Sequence, residues 1–231
     1  IGLARTQQLC GESHPCVPFR DIFQFNNDPV NVNATSDQGQ IDIRWSHAFF
    51  GIRSQIYMSV MNEDSSPFLH SGTSHLFGVT AFLTLTPDET LRLTVEYVDS
   101  VPTADIFSFG DVLHGVAYNN FGYPDGMRYR GRTLGFSLDS DSKLLSLQAA
   151  WSDRAGRFYE LSFHNAHISN PNNLVGNALT TAPVRINIGE ARVSMPWNGL
   201  KLDLALRLQD DQPRPRSGFD TGFEIALRAP L

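Results

Sequence analysis

Apolar and polar residues alternate with a period of two in nine stretches of this chain. In the clearest stretch every second residue is apolar: Leu200, Leu202, Leu204, Leu206 and Leu208. Polar or small residues occupy the positions between and after them: Lys201, Asp203, Ala205, Arg207 and Gln209. Because successive side chains of a β-strand point to opposite sides, this pattern predicts a strand with one apolar and one polar face. Each stretch is about as long as a membrane-crossing strand, which needs about 9–11 residues.

Together with residues 1–5, which resemble the tail of a strand, these stretches predict ten strands: 1–5, 40–46, 52–62, 75–85, 91–99, 143–152, 157–164, 184–195, 200–209 and 219–228. The links between the strands alternate in length, and the short ones are 47–51, 86–90, 153–156 and 196–199. Outer-membrane barrels have short periplasmic turns and long extracellular loops. The pattern therefore predicts an all-β fold, an antiparallel transmembrane β-barrel with long extracellular loops and little helix.

The alternation of short and long links also decides how an ambiguous segment is assigned. A strand at 132–138 would place the long 165–183 loop in the periplasm, so we assign 132–138 to the 100–142 loop. The apolar phase of 184–195 shifts at Gly189, and we predict a β-bulge there that restores the facing. Trp45, Trp151 and Trp197 lie beside short links, as an aromatic belt at the periplasmic interface would require.

Composition narrows the class of protein. The chain has 231 residues, of which 41% are hydrophobic, and a mean hydropathy of −0.21. It lacks the run of about 18 apolar residues that a membrane helix needs, whereas a barrel strand needs only alternate apolar residues. The net charge of −6 argues against nucleic acid as a partner. Since the chain starts at Ile1 without a signal peptide, we interpret it as a piece of a longer or processed protein.

Two cysteines, Cys10 and Cys16, lie in the polar 6–39 loop. In an oxidising cell envelope they are candidates for a local disulfide. Their spacing does not fit a CxxC metal or redox site, and the chain has no other cysteine.

The sequence gives little support to catalysis. It contains no nucleophile elbow, phosphate-binding loop or HExxH motif, so we predict no enzyme activity, no metal and no cofactor. His164 and His167 fit solvated positions at the rim of the barrel better than a pair of metal ligands. Asp139 and Asp141 fit charged residues of a loop better than the paired catalytic carboxylates of a glycosidase or the ligands of a calcium loop.

Residues 118–142 read YNNFGYPDGMRYRGRTLGFSLDSDS and resemble the tract YN…Y…GYRYRGR.(L/I)G…D.DS of the Wzi capsule-assembly family. The pieces IGLARTQQLCGESHPC at 1–16 and NED…LFG…L…VEY.D between 62 and 99 are similar to the same family. The resemblance extends over essentially the whole chain and corresponds to the family's C-terminal half. It implies part of an outer-membrane barrel of about eighteen strands, a lectin that holds capsular polysaccharide on the surface of a Gram-negative bacterium.

The 100–142 loop supplies groups that suit an acidic polysaccharide: aromatic rings, amide and carboxylate groups, and arginines that can clamp a carboxylate at two points. The candidate polysaccharide-binding residues are Tyr118, Asn119, Asn120, Tyr123, Asp125, Arg128, Tyr129, Arg130 and Arg132. In the alternative interpretation, the three arginines pair with Asp125, Asp139 and Asp141 and only fold the loop across the barrel mouth.

The predicted polar face carries charges of both signs: Arg44, Arg53, Arg92, Glu96, Glu160, Lys201, Asp203, Arg207, Glu224 and Arg228. We interpret them as salt bridges that seal the barrel. A solute channel is the alternative, and with it a transport barrel for a sugar or hydrophobic solute. A soluble β-sandwich, the third possibility, would need a second sheet over the leucine face.

We expect residues 1–231 to form the C-terminal part of a single outer-membrane barrel, a monomer whose partners are capsular polysaccharide and outer-membrane lipid. Ten strands alone leave two open edges, which favour aggregation. The piece is therefore predicted not to fold stably by itself.

Overall fold

A computed structural model describes residues 1–8, 36–63, 72–104, 111–119, 126–130, 132–169, 177–213 and 218–229. Within these ranges it contains twelve strands: β1 (Gly2–Gln8), β2 (Ser36–Phe49), β3 (Ile52–Glu63), β4 (Thr73–Thr86), β5 (Glu89–Thr103), β6 (Arg128–Tyr129), β7 (Arg132–Thr133), β8 (Lys143–Ser152), β9 (Phe158–Ile168), β10 (Val184–Trp197), β11 (Leu200–Gln212) and β12 (Asp220–Arg228). The same ranges contain no helix with the length and apolar character of a membrane span.

Ten of the strands form one antiparallel sheet in the order β1-β2-β3-β4-β5-β8-β9-β10-β11-β12. They correspond to the ten predicted strands, and several extend further into the loops, β5 to 15 residues. The remaining two, β6 and β7, pair with each other as a small hairpin, which confirms that 132–138 contributes no strand to the main sheet. In the described part of the chain, β1 and β12 pair on one side only.

The two ends of the sheet are connected differently. At one end, the turn end, the links are as short as two residues, and long loops leave the opposite end, the loop end. Phe50 and Gly51 have φ values of 52° and 81°, and Asn198 and Gly199 have 49° and 74°. Positive φ at both central residues is typical of type I′ turns, whose twist matches that of the strands they join. The predicted short links are therefore confirmed.

The predicted apolar face is a continuous surface of the sheet. Leu204 lies opposite Val193 of β10 and Ile225 of β12, so their side chains share one face. Leu206 is 43% exposed, Ile225 61% and Leu161 63%. No second layer of described polypeptide covers this face, as a β-sandwich would require. Soluble monomers rarely expose an apolar patch of such extent, so the face needs a non-aqueous cover.

The three tryptophans all lie on this apolar face near the turn end, as their positions in the register require. Trp45 packs edge-on against Phe49 with ring centroids 5.2 Å apart, and Trp151 stacks on Tyr159 at 4.9 Å. Aromatic rings grouped at one height on the apolar face have the arrangement of an interfacial belt.

The predicted β-bulge at Gly189 is wrong. Gly189 lies opposite Leu208 and Phe163, and the register of β10 continues without a shift on both sides. Val184, Ile186 and Ile188 therefore point to the polar face near the loop end, while the positions between them carry polar residues on the apolar face. The reason is length: β10 has 14 residues, more than the apolar band requires, so its loop end extends beyond that band.

Hydrophobic packing in the described residues is concentrated where the long link between β5 and β8 meets the sheet. Ala117, Tyr118 and Met127 form a buried cluster, against which Met61 and Phe136 pack. Met61 belongs to the polar-face set of β3, so the packed residues of this link, the β5–β8 loop (104–142), lie on the polar face at the loop end.

Candidate functional site

The backbone of the β5–β8 loop contacts the sheet at two points. Val112 forms an isolated β-bridge with Thr103 at the end of β5. Further along, the Tyr118 amide donates a hydrogen bond to the buried Glu63 carboxylate of β3 at 2.6 Å. These contacts hold the loop over the polar face instead of projecting it away from the sheet.

Tyr118 is the buried centre of the loop. Its side chain is 5% exposed, and its hydroxyl accepts a hydrogen bond from the Phe136 amide at 3.0 Å. Burial raises the pKa of Tyr118 to about 12. Two glycines allow this packing: a Cβ on Gly135 would lie 2.6 Å from the Tyr118 ring, and one on Gly126, where φ is +60°, would collide with the Tyr118 carbonyl oxygen.

Arg128 clamps three segments of the loop region. Its Nε donates to Asp139 Oδ2 at 3.0 Å and its Nη2 to Asp139 Oδ1 at 2.7 Å, a two-point ion pair between side chains that are 9% and 1% exposed. The same Nη2 donates to Asn119 Oδ1 at 2.8 Å. Asp139 Oδ2 also accepts the Ala178 amide at 2.7 Å, which ties in the loop between β9 and β10.

The segment 139–142, with the sequence Asp-Ser-Asp-Ser, is fully buried and hydrogen-bonded on all sides. Asp141 accepts the Gly115 amide at 2.8 Å and lies 3.3 Å from His114 Nδ1. Burial raises the pKa of Asp141. Asn177 donates to the Ser140 carbonyl at 2.8 Å. Both carboxylates of this segment are therefore occupied by the protein itself, as structural acceptors.

The hairpin formed by β6 and β7 is an exposed part of the loop. Tyr129 is 62% exposed, and the Arg130 guanidinium lies 5.2 Å from the centre of its ring, within the range of a cation–π contact. Arg130 and Arg132 are exposed, and neither forms an ion pair with a residue in the described ranges. The hairpin therefore presents an aromatic ring and two guanidinium groups to solvent.

The structure thus divides the sequence-predicted site residues into two groups. Tyr118, Asn119 and Arg128 are buried or nearly so and belong to the framework of the loop. The residues Tyr129, Arg130 and Arg132 are exposed together on the hairpin. Three further candidates, Asn120, Tyr123 and Asp125, and the candidate disulfide residues Cys10 and Cys16 lie outside the described residues.

The alternative interpretation, in which the arginines pair with aspartates, holds for Arg128 and Asp139. Asp141 instead contacts His114, and Asp125 is not described. Sequence reasoning missed the roles of Glu63, His114 and Asn177, which are distant in the chain from the residues that they contact. Only the unusual density of short polar residues at 139–142 could have indicated a hydrogen-bonded centre.

The charged residues predicted for the polar face do lie there, but they pair less often with one another than expected. Arg228 Nε lies 2.8 Å from Asp203 Oδ2. Others bind neutral groups: Glu96 accepts a hydrogen bond from Tyr57 at 2.9 Å, and Arg92 donates to Gln148 at 3.2 Å. A face sealed by salt bridges alone stays a prediction.

His164 and His167 do not form a ligand pair. Their spacing of three along β9 places them on opposite faces of the sheet, His164 opposite Ser146 on the polar face and His167 opposite Lys143 on the apolar face. His164 Nδ1 lies 2.9 Å from Ser146 Oγ.

Comparison with known proteins gives one family and one fold. The family model for capsule assembly protein Wzi matches residues 1–211. A solved structure is also similar: Wzi of Escherichia coli, an outer membrane protein involved in group 1 capsule assembly and a carbohydrate-binding β-barrel. The TM-score is 0.74 at 14% sequence identity, over 99% of this chain and 48% of that one.

This chain therefore spans about half the length of that structure. No curated protein sequence matches the chain. The likeness in structure confirms the predicted fold class, a ten-stranded antiparallel section of a larger β-barrel.

Proposed function

Because the chain belongs to the family of capsule assembly protein Wzi, we propose that it forms the C-terminal part of an outer-membrane β-barrel that anchors capsular polysaccharide to the bacterial cell surface. Residues 1–231 are one part of a single barrel domain, and the missing strands close the edges at β1 and β12. In this arrangement lipid covers the apolar face, the turn end lies in the periplasm and the loop end lies outside the cell.

The observation that carries this proposal is the contrast within the β5–β8 loop. A buried ion pair, Arg128 with Asp139, fixes the base of the loop, while Tyr129, Arg130 and Arg132 are presented to solvent on the adjoining hairpin. A tyrosine ring can stack on the apolar face of a sugar, and an unpaired guanidinium can bind a uronic carboxylate at two points. A rigid base lowers the entropic cost of binding.

In this proposal the binding surface consists of the exposed hairpin residues and the neighbouring candidates Asn120, Tyr123 and Asp125. Tyr118, Asn119 and Arg128 position that surface without touching the polymer. The protein acts as a monomeric lectin and performs no chemistry on the polysaccharide. The loop lies over the polar face at the barrel mouth, which favours a barrel whose lumen is blocked over a transport channel.

The test measures retention of capsular polymer on cells that express the full-length protein. The Arg130→Gln, Arg132→Gln double variant is compared with the Arg154→Gln, Arg157→Gln double variant, which removes the same charge at the turn end. Loss of two charge-assisted contacts predicts roughly tenfold or greater weakening of polymer binding for the first variant. The second variant should retain polymer normally. Full retention by a correctly folded Arg130/Arg132 variant would remove these residues from the site.

A further inference from the structure

Cations are placed unevenly on the two faces of the sheet. Most strand cations point to the polar face: Arg44, Arg53, Arg92, Arg192, Lys201, Arg207 and Arg228. Among the side chains that the structure describes, the apolar face carries only two Arg or Lys residues, Lys143 on β8 and Arg185 on β10. These two belong to one row, because both lie opposite His167 on the intervening strand β9.

This row, Lys143–His167–Arg185, lies at the loop end of the apolar face. Leu147, Phe163 and Leu208 belong to the apolar rows nearer the turn end, and Asn165 and Asn187 follow them, joined by a hydrogen bond of 2.6 Å. The basic row comes next, about 7 Å further along the strands. The basic row therefore lies just beyond the boundary between the apolar and the polar part of this face.

The height of the row agrees with that of lipid headgroups. In β11 the leucine series begins at Leu200, and the basic row lies level with Gln212, the partner of Arg185, which is about 41 Å further along the strand. A strand tilt of about 40° reduces this distance to about 31 Å of height along the membrane normal. The apolar band of an outer-membrane barrel is about 25 Å tall, and the headgroup layer adds about 5–8 Å on each side. A side chain one row beyond the polar boundary reaches this headgroup layer.

The acidic residues near this row do not occupy all of its hydrogen-bond donors. Asp99 of β5 binds the Lys143 ammonium at 3.0 Å, but an ammonium has three donors. Asp210 of β11 lies opposite Asn187, one row nearer the apolar band than Arg185. Arg185 is exposed and forms no ion pair with any residue of the described ranges. His167, half-buried between the two cations, adds a ring N–H.

We propose that Lys143, His167 and Arg185 bind a phosphate group on the headgroup of an outer-leaflet lipid. The two cations are two strands apart, about 10 Å between backbones, so their long side chains can converge on a phosphate above His167. The site rests on the proposed function, because it requires the loop end to lie at the outer surface of the membrane. The continuous register of β10 at Gly189 is what places Arg185 in this row, because a bulge there would turn it to the polar face.

The test uses the full-length protein in detergent and native mass spectrometry. The probes are diphosphorylated lipid A and the same lipid without its two phosphates. We expect the parent to prefer the phosphorylated lipid, and the Lys143→Gln, Arg185→Gln double variant to bind it about tenfold more weakly. The matched control, Lys201→Gln with Arg207→Gln, removes two charges from the opposite face of β11 and should change binding by less than about twofold.

Equal binding of the two lipids by the parent, or unchanged binding by the Lys143/Arg185 variant, would overturn the proposal. Polymer retention separates it from the proposed function. If the lipid site exists, the Lys143/Arg185 variant binds less lipid whether or not the Arg130/Arg132 variant loses polymer. A full-length protein that does not fractionate with the outer membrane would contradict both.

Discussion

The turn end and the loop end of this sheet are stabilised in different ways. At the turn end each link is closed by residues adjacent in sequence, such as Asn198 and Gly199, or by Asp153 accepting the Arg157 amide at 3.0 Å. At the loop end the decisive contacts join distant segments. Arg128 binds Asp139, and Asp139 in turn binds the backbone of Ala178, 39 residues further on.

Stability and function therefore reside at different ends of the sheet. The turn end is local, exposed and tolerant, and it serves to reverse the chain. The loop end is buried and non-local, so a single change there leaves several partners unsatisfied. The candidate binding residues are attached to this second region, and their geometry depends on it.

The largest expected effect is from Asp139→Ala. It leaves the Arg128 guanidinium buried without its carboxylate, which should cost roughly 3–5 kcal/mol of loop stability. Hydrogen exchange of residues 111–119 and 132–142 in the full-length protein should then rise. The matched change at the turn end, Asp153→Ala, removes the ion pair with Arg157, whose side chain is about half exposed, and should leave the exchange of these loop-end residues unaltered. Equal responses at the two ends would contradict the comparison.

The second effect concerns the two faces between these ends. Leu206→Arg places a charge on the apolar face near its middle and should destabilise the folded barrel by roughly 2–4 kcal/mol. Ala205→Arg, the adjacent residue on the polar face, should be tolerated. The unfolding midpoint in urea, measured in lipid vesicles, distinguishes the two. If both variants unfold at the same urea concentration, the assignment of faces is wrong.

The third effect is a response of the loop end to alkali. Tyr118 has a pKa of about 12 in the fold, against 10 when solvated, so folding favours its neutral form. Its contribution, roughly 2–3 kcal/mol, is fully present below pH 10 and is lost as the pH rises to 12. The difference in tyrosinate absorbance between the parent and Tyr118→Phe should titrate near pH 12. A difference titrating near pH 10 would mean that Tyr118 is solvated.

The smallest expected effect is from Gly199→Ala at the turn end. Its φ of +74° disfavours alanine, but no atom lies within 4 Å of the added Cβ, so the cost should be about 1 kcal/mol. Gly126→Ala at the loop end adds a collision with the Tyr118 carbonyl to a similar φ and should cost more. Thermal unfolding of both variants measures the difference, and a greater loss for Gly199→Ala would reverse the expected ranking.

The same contrast explains what the sequence could predict. The alternation of Leu200 to Leu208 predicts the strand, its faces and its neighbours, because a strand has a strict period of two and short turns enforce register. The β-bulge predicted at Gly189 is wrong because a shift in the alternation of apolar residues can have two causes, a bulge or the end of the apolar band. The sequence alone does not show where that band ends.

The candidate site was less predictable for a physical reason. Arg128, Arg130 and Arg132 look alike in sequence, yet one is a buried clamp and two are exposed. Which arginine pairs with a carboxylate depends on Asp139, and Asp139 and its neighbour Ser140 are in turn bound by Ala178 and Asn177, which lie beyond the β8–β9 hairpin in the chain. Non-local contacts of this kind leave no periodic pattern in the sequence.

If hydrocarbon chains cover the apolar face, lipid brominated on its acyl chains should quench the fluorescence of a tryptophan placed there. Leu206→Trp and Arg207→Trp variants of the full-length protein add one fluorophore to the apolar and polar face, respectively. In vesicles of lipid brominated on its acyl chains, the fluorescence added at position 206 should be strongly quenched and that added at position 207 should not. Equal quenching at the two positions, or none at position 206, would mean that lipid does not cover the apolar face.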